Sequence, residues 1–180
     1  MFSPSLEALL LAYNSSCEQQ EKLKQQMLNF LSNSDCFERG CVAGHFTASA
    51  LLLDRDQQKA LLMHHRKLNK WVQVGGHCDG NPDVLAVAIQ EAQEESGIKS
   101  IIPVTRTILD LDIHLIPGNN FEAEHLHYDV RFLLKVNSDE ALHGNDESLD
   151  VRWFANDLAT LPTASQSVTR LFDKWALQCR

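Results

Sequence analysis

An α+β domain is expected from this sequence, with a mixed β-sheet sandwiched by helices and a helical extension at the N-terminus. Apolar residues recur at three- and four-residue spacing near both ends of the chain. Extended apolar runs separated by turn residues fill the middle, and a single helical segment interrupts them. The 180 residues, 44% of them hydrophobic, are enough to bury one sizeable core. One domain over residues 41–180, preceded by an extension over residues 1–40, is the expected organisation.

From the N-terminus, Leu6, Leu9, Leu10 and Tyr13, and then Leu23, Met27, Leu28 and Leu31, follow helical spacing. Asn14-Ser15-Ser16 separates the two helices and offers an N-cap. His45–Leu53 and Lys59–His64 read as strands joined by the turn Asp54-Arg55-Asp56-Gln57. Trp71–Val74 is short and extended and ends at a Gly75-Gly76 turn. Val84–Ser96 is the central helix, with Pro82 at or just before its first turn and Gly97 closing it. Two long strands are expected at Ile102–Ile116 and Glu124–Val136, joined by a loop containing Pro117-Gly118-Asn119-Asn120. A short strand, Asp150–Phe154, leads to a last helix striped by Val168, Leu171, Phe172 and Trp175.

The formal net charge of −8 argues against general binding to a nucleic-acid backbone, while leaving room for a small anionic substrate held locally. The five cysteines are odd in number and scattered, with no CxxC pair, as expected of reduced intracellular thiols. The leucine-rich N-terminus carries Glu7 and no basic residue before Lys22, unlike a secretory signal. No stretch reaches transmembrane length. A cytoplasmic protein with no membrane partner is the expectation.

The chemistry concentrates between Gly76 and Ile98. Glu91, Glu94 and Glu95 stand at i, i+3 and i+4, with Cβ atoms about 5–6 Å apart on a helix. Unit charges at that separation repel by about 3 kcal/mol at an effective dielectric near 20. A fully solvated face would tolerate such a string cheaply. The helical wheel points elsewhere. Leu85, Ala88, Ile89 and Ala92 form the buried stripe, Glu91 and Glu95 flank it, and the far side carries neutral Ala86, Gln90 and Gln93. Carboxylates at the border of a core suit a hard divalent cation, Mg²⁺ or Mn²⁺, completed by substrate phosphate. The neighbouring glycines let backbone approach a ligand and expose a carbonyl.

This stretch resembles the Nudix box: Gly, five residues, Glu, seven residues, then Arg-Glu-apolar-x-Glu-Glu-x-Gly-apolar. Gly76, Glu91, Ala92, Glu94, Glu95, Gly97 and Ile98 match, whereas Pro82 replaces the first Glu and Gln90 replaces the Arg. Trp71–Gly76 is similar to the strand and turn before the box, and Val151-Arg152-Trp153-Phe154 to a Trp-containing strand common in the family. The likeness runs from about His45 to the C-terminus. It implies a Nudix-like α/β/α sandwich and a hydrolase acting on a diphosphate linked to another moiety. It also implies that Glu94, Glu95 and the Gly76 carbonyl bind Mg²⁺, with Glu91 a further ligand or an aid to the base, and a metal-bound water as nucleophile. Glu147 lies where the family's loop glutamate precedes the Trp strand and is the candidate to complete the metal site. Losing the Arg and its acidic counterpart together leaves no orphan charge, but Gln90 offers only a neutral hydrogen bond. That departure keeps a second reading open, a Nudix-like module that binds a nucleotide or sugar nucleotide with little or no turnover.

Beyond the box, His125, His127 and Asp129 alternate along one strand and share a face. They are candidates for substrate binding, and one His for proton transfer; a solvated sheet face is the plain alternative. Arg131 is expected on the opposite face, in a structural role. Zinc held by His125, His127, His77 and Cys78 suits the ligand types but lacks a closing ligand pattern. Arg66 is placed to meet substrate phosphates and Gln73 to contribute to specificity. Cys78 has no evident activating base and is expected to be incidental. The expected partner is a small-molecule diphosphate, and the N-terminal helices are expected to cap the domain or to form a homodimer contact.

Overall fold

The computed structural model describes residues 4–118 and 123–178. Helices α1 (Leu6–Ala12) and α2 (Glu18–Phe30) open the chain. Ser5 caps α1, its Oγ accepting the Ala8 N–H at 3.2 Å. Then come β1 (Gly44–Leu53), β2 (Lys59–His65), β3 (Lys70–Val72), β4 (Val74–His77) and α3 (Val84–Ser96). The chain continues through β5 (Ile101–Pro103), β6 (Asp110–Ile116), β7 (His125–Val136), β8 (Ser148–Ala155) and α4 (Gln166–Gln178). This is the α+β architecture expected, a mixed sheet with helices on both sides and a helical N-terminal segment.

The strands form one curled sheet with β1 at its centre. β1 runs parallel to β7, Gly44–Leu53 against Leu126–Lys135, and antiparallel to β4 and β2 along its other edge. β7 pairs antiparallel with β5 and β6, and β2 with β3 and β8. Alternation along β1 sorts its side chains. Phe46, Ala48, Ala50 and Leu52 join Val130, Phe132 and Leu134 of β7, the buried stripe of α3 and the N-terminal helices in the larger core. Leu51, Leu53 and Leu133 face the other way, onto Val168, Leu171, Phe172 and Trp175 of α4. Toward the starts of β1 and β7 this second face turns polar, with His45, Thr47, Ser49, His127 and Asp129.

The N-terminal helices cap the sheet. Leu6, Leu9, Leu10, Leu23 and Met27 are buried in the larger core, and Phe30 stacks on Tyr128 with ring centroids 4.0 Å apart. Buried Gln20 donates to the Leu111 carbonyl at 3.0 Å and accepts the Leu111 N–H at 3.2 Å. That pair ties α2 to β6 through otherwise orphaned backbone groups.

Two elements differ from expectation. The single strand at Ile102–Ile116 is interrupted, because β5 ends at Pro103, which has no N–H to continue the ladder. Val104 N–H reaches the Leu133 carbonyl and Leu109 N–H the Arg131 carbonyl, at 2.9 and 2.8 Å, so residues 105–108 loop out between two segments that pair with the same strand. Gly75-Gly76 is not a turn: it continues β4, paired with Ser49 and Ala48. A side chain on Gly75 would collide with Ser49 and lie 2.8 Å from the Ala48 carbonyl, so glycine is what lets β4 lie against β1. The turn comes later, where Asp79 and Gly80 take positive φ of 45° and 84°. The Asn119-Asn120 part of the expected loop lies outside the described residues. Among the described residues no helix is long and apolar enough to cross a membrane.

Candidate active site

Asp83 caps α3, its carboxylate accepting the Ala86 N–H at 3.1 Å, and Gly97 ends the helix in the left-handed region at φ 72°. The acid one position after Pro82 is therefore a helix cap. Burial of Val84, Leu85, Val87, Ala88 and Ala92 turns Glu91 and Glu95 toward β4 and leaves Glu94 exposed. Glu95 is only 3% exposed, and its Oε2 accepts the Gly75 N–H at 2.8 Å. Glu91 lies against Gly76, where an added Cβ would stand 2.7 Å from its Oε1. Gln90 Nε2 donates to Glu94 Oε1 at 2.9 Å, the neutral bond expected in place of an arginine contact.

Glu147 comes from the loop before β8, and Arg66 holds that loop. Its backbone N–H donates to the Glu147 carbonyl at 2.8 Å, its Nε to the Asp146 carbonyl at 2.9 Å and its guanidinium to the Ser148 carbonyl at 3.1 Å. The His143 N–H on the Ser96 carbonyl, at 2.8 Å, ties the same loop to the end of α3. Burial raises the Glu91 carboxyl to about 7, and the charges of Glu94 and Glu147 add to it. Burial raises Glu95 to about 8; the Gly75 hydrogen bond opposes this, while the charges of Glu91, Glu147 and Glu94 reinforce it. Carboxyls in this condition ionise readily only beside a counter-charge. Carboxylate oxygens and a nearby backbone carbonyl are the donors of a hard divalent cation, so the residues fit one.

A second polar group lies on the opposite face of β4. His77 pairs with Thr47 of β1, His45 pairs with His127 of β7, and His114 of β6 pairs with His127 from the other side. His45, His77 and His127 converge, one ligand nitrogen from each lying within 4.8 Å of the others. His125 Nε2 stands 3.3 Å from His127 Nε2. Burial, followed by the charges of His77 and His125, lowers the His45 pKa to about 4. Burial and the surrounding imidazoles push His127 far below the ordinary histidine range. Both rings are neutral at pH 7.

Other expected site residues are placed differently. Asp129, expected to bind substrate, is buried, and Thr47 Oγ1, Ser49 Oγ and Arg131 Nε donate to its carboxylate at 3.1, 2.8 and 2.7 Å. Arg131 shares that face, as period two requires of residues 129 and 131, and is not on the opposite one. Its role is structural, since it also pairs with Asp110 and Asp112 at 3.3 and 3.1 Å. Arg66, expected to meet phosphate, has its guanidinium engaged by the Glu147 loop. Gln73 lies between β3 and β4, its Nε2 donating to Ser49 Oγ at 3.3 Å. Cys78 points into the larger core, where burial raises its thiol to about 12, and it is not part of the group that His45, His77 and His127 form.

The fold therefore gathers Gly76, Glu91, Glu95 and Glu147, with Glu94 at the rim, and separately gathers His125 and His127 with His45 and His77. His45 was missed from the sequence. Its alternation with Thr47 and Ser49 mirrors that of His125, His127 and Asp129, but the parallel pairing that unites the two strands is not a local signal.

The NUDIX domain family pattern matches residues 44–175. The chain is 28% identical over 128 residues to the "Probable DHNTP pyrophosphohydrolase" of Lactococcus lactis subsp. cremoris, covering 70% of this chain and 75% of that protein. Its fold is similar to the C. elegans Ap4A hydrolase in a binary complex, with TM-score 0.60 and 16% identity over 74% of this chain and 96% of that one. It is also similar to the E. coli dihydroneopterin triphosphate pyrophosphohydrolase, with TM-score 0.56 and 15% identity over 74% and 95% of the two chains. Identities that low speak for the fold alone. The family match spans well over half of the chain and contains the glutamate helix and its glycine strand, and the chain belongs to the Nudix hydrolase family.

Proposed function

We propose that this Nudix enzyme hydrolyses a diphosphate linkage in a nucleoside diphosphate-X type substrate, in a reaction that depends on Mg²⁺, with Mn²⁺ as a substitute. The observation that carries the proposal is the pair of desolvated carboxyls, Glu91 and Glu95, set against Gly76 and Gly75. Glu91, Glu94, Glu95, Glu147 and the Gly76 carbonyl would hold the cation. When bound, it supplies polarisation of phosphoryl oxygens and acidification of water. The chain's own residues do the rest. The Gly75 N–H fixes the orientation of Glu95, and Glu91, set against Gly76, serves as a further ligand or assists the base. Gln90 steadies Glu94 and Arg66 steadies the Glu147 loop. Gln73, beside the polar sheet face, is assigned to the X moiety.

We place the catalytic domain at residues 41–180 and propose that residues 1–40 act as a cap. Their apolar stripe is already buried within the same chain, which leaves little for a homodimer contact; light scattering reads this directly. A cytoplasmic site of action is proposed on the free thiols of Cys17, Cys36, Cys41 and Cys78.

The test is product release from a panel of diphosphate compounds, with Mg²⁺ or Mn²⁺, by wild type, Glu94→Gln and Glu95→Gln. Dihydroneopterin triphosphate and Ap4A, which name two of the similar structures, head the panel. Loss of a ligand is expected to reduce turnover by about 100-fold or more. Variants as active as wild type would show that the site is misassigned. The neutral Gln90 favours one alternative, a module that binds nucleotide without turning it over. Tight nucleotide binding with no metal-dependent product across the panel selects that reading.

A further inference from the structure

We propose that His45, His77 and His127 bind one divalent transition-metal ion of the zinc class, with His125 as the fourth ligand, on the face of β4 opposite the glutamates. The inference stands on its own observations and does not depend on the role of Glu91, Glu94 and Glu95.

The convergence comes from three strands. β4, β1 and β7 are brought into register so that the His45–His77, His45–His127 and His77–His127 ring centroids lie 5.0, 4.7 and 5.0 Å apart. His45 is the telling member. It is 1% exposed, and neither of its ring nitrogens has a hydrogen-bond partner. Buried imidazoles nearly always satisfy at least one nitrogen, so an orphan ring calls for a partner. The rings against it are those of His77, His125 and His127, and a cation shared among them would supply the missing partner.

His125 is preset for the same ion. Its Nδ1 lies 2.8 Å from the Ala123 carbonyl, which can only accept, so Nδ1 carries the proton and Nε2 offers its lone pair. A backbone carbonyl holding the second ring nitrogen is the usual support behind a metal-binding histidine. The 3.3 Å from His125 Nε2 to His127 Nε2 equals the edge of a tetrahedron of nitrogens about 2.0–2.1 Å from zinc, roughly 3.3–3.4 Å. Arg39 approaches His77 Nδ1 at 2.9 Å and also contacts Asp79 at 3.2 Å. Binding through Nε2 would shift the His77 ring proton to Nδ1, and Arg39 would then keep its contact with Asp79 alone. Four imidazoles and no carboxylate select zinc, copper, nickel or iron over Mg²⁺, so the two faces of β4 separate borderline from hard cations. An anion is the poorer occupant, because it requires imidazolium rings and His45 has no acceptor beside it to share a proton.

The test uses the full-length, untagged chain, stripped with a chelator and checked for fold by circular dichroism. Co²⁺ is titrated in excess Mg²⁺ while visible absorption is followed, and Zn²⁺ is then added. One Co²⁺ per chain with the intense spectrum of a four-coordinate site, displaced by Zn²⁺, is expected. His45→Gln and His127→Gln should each weaken binding about 100-fold or more, and Glu95→Gln should leave it unchanged. Absence of stoichiometric Co²⁺ binding, or binding lost in Glu95→Gln and kept in His127→Gln, overturns the proposal. If His45→Gln fails to fold, the Zn²⁺-dependent rise in wild-type Tm and its loss in His127→Gln decide. Inorganic phosphate binding that needs His127 and no metal overturns it in favour of an anion site.

Discussion

Burying an acid favours its neutral form, and Glu95 is buried with the Gly75 N–H on its carboxylate. Its folded pKa of about 8 and that of Glu91, about 7, lie above the value near 4.3 of an unfolded glutamate. The folded state therefore binds more protons between those limits. The stability this contributes is complete below about pH 4.3 and is lost as pH rises through 7 and 8. Buried His45 and His127, with folded pKa values below the ordinary histidine value, push the other way up to about pH 6.5, so the readout is wild type against Glu95→Gln. With a chelator present, the Tm of wild type relative to Glu95→Gln should fall between pH 5 and pH 8 and level off above it, and Mg²⁺ should restore much of the wild-type loss at pH 8. A difference that moves in favour of wild type over that interval contradicts the assignment. Gln90 acts at the same scale. Its bond to Glu94 is exposed and comes from an uncharged donor, worth about 1 kcal/mol, so Gln90→Ala should lower kcat/KM by about fivefold at most. Gln90→Arg should raise it, and an unchanged kcat/KM in both variants would mean that Glu94 does not need orienting. The glutamates were legible because i, i+3 and i+4 spacing is a local fact of one helix. His45 was not, because its partners lie on other strands.

Between the residues and the site stand β4 and its neighbours, where glycine backbone meets β1 on one side and the glutamate side chains of α3 on the other. Gly75 meets Ser49 across the ladder, and Gly76 meets the Glu91 carboxylate. Gly75→Ala forces backbone against backbone and should destabilise the fold by about 1–3 kcal/mol. Gly76→Ala meets only the end of a flexible side chain, so the fold should survive while Glu91 is displaced. The two variants should separate in one experiment: thermal melts with and without Mg²⁺. Gly75→Ala is expected to lower Tm in both conditions, and Gly76→Ala to keep its Tm in chelator yet lose the Mg²⁺ response. A Gly76→Ala protein that retains both its Mg²⁺ response and its turnover would place Glu91 outside the site. The limits of α3 were readable from sequence, Val84 to Ser96, because Asp83 and Gly97 set them by local hydrogen bonding and φ. The glycines were misread as a turn because two small residues carry no side-chain pattern to reveal that a neighbouring strand requires them. The break between β5 and β6 was hidden by the strand-like alternation that follows it, with Pro103 and the polar Thr105-Arg106-Thr107 as the local warnings.

At the scale of the molecule, polar contacts stitch the N-terminal helices to the domain. Asp110 is fully buried among Arg131, Arg170 and Lys174. Lys174 Nζ then donates to Tyr13 at 2.7 Å, linking α4 to the segment after α1. Gln20 bridges to Leu111, 91 positions away in sequence. None of these partnerships has a spacing that one chain displays, which is why the extension could be recognised as helical but not placed. Its placement has a consequence that truncation tests. Removing residues 1–40 uncovers Phe46 and Tyr128 on the sheet, and takes Tyr13 and Gln20 from Lys174 and Gln20 from the Leu111 backbone. Exposed apolar surface of that kind drives association. The shortened chain should aggregate, or unfold at a clearly lower Tm, while Leu10→Ala and Met27→Ala in the full chain should each cost about 2–5 kcal/mol. Those side chains are wholly buried in the same core as the sheet, so an independent docking arm would show neither effect. Melts of the two point variants, with light scattering of the truncated chain, measure both. A truncated protein that stays monomeric and melts with the full-length chain would make the extension a free interaction module instead of a cap.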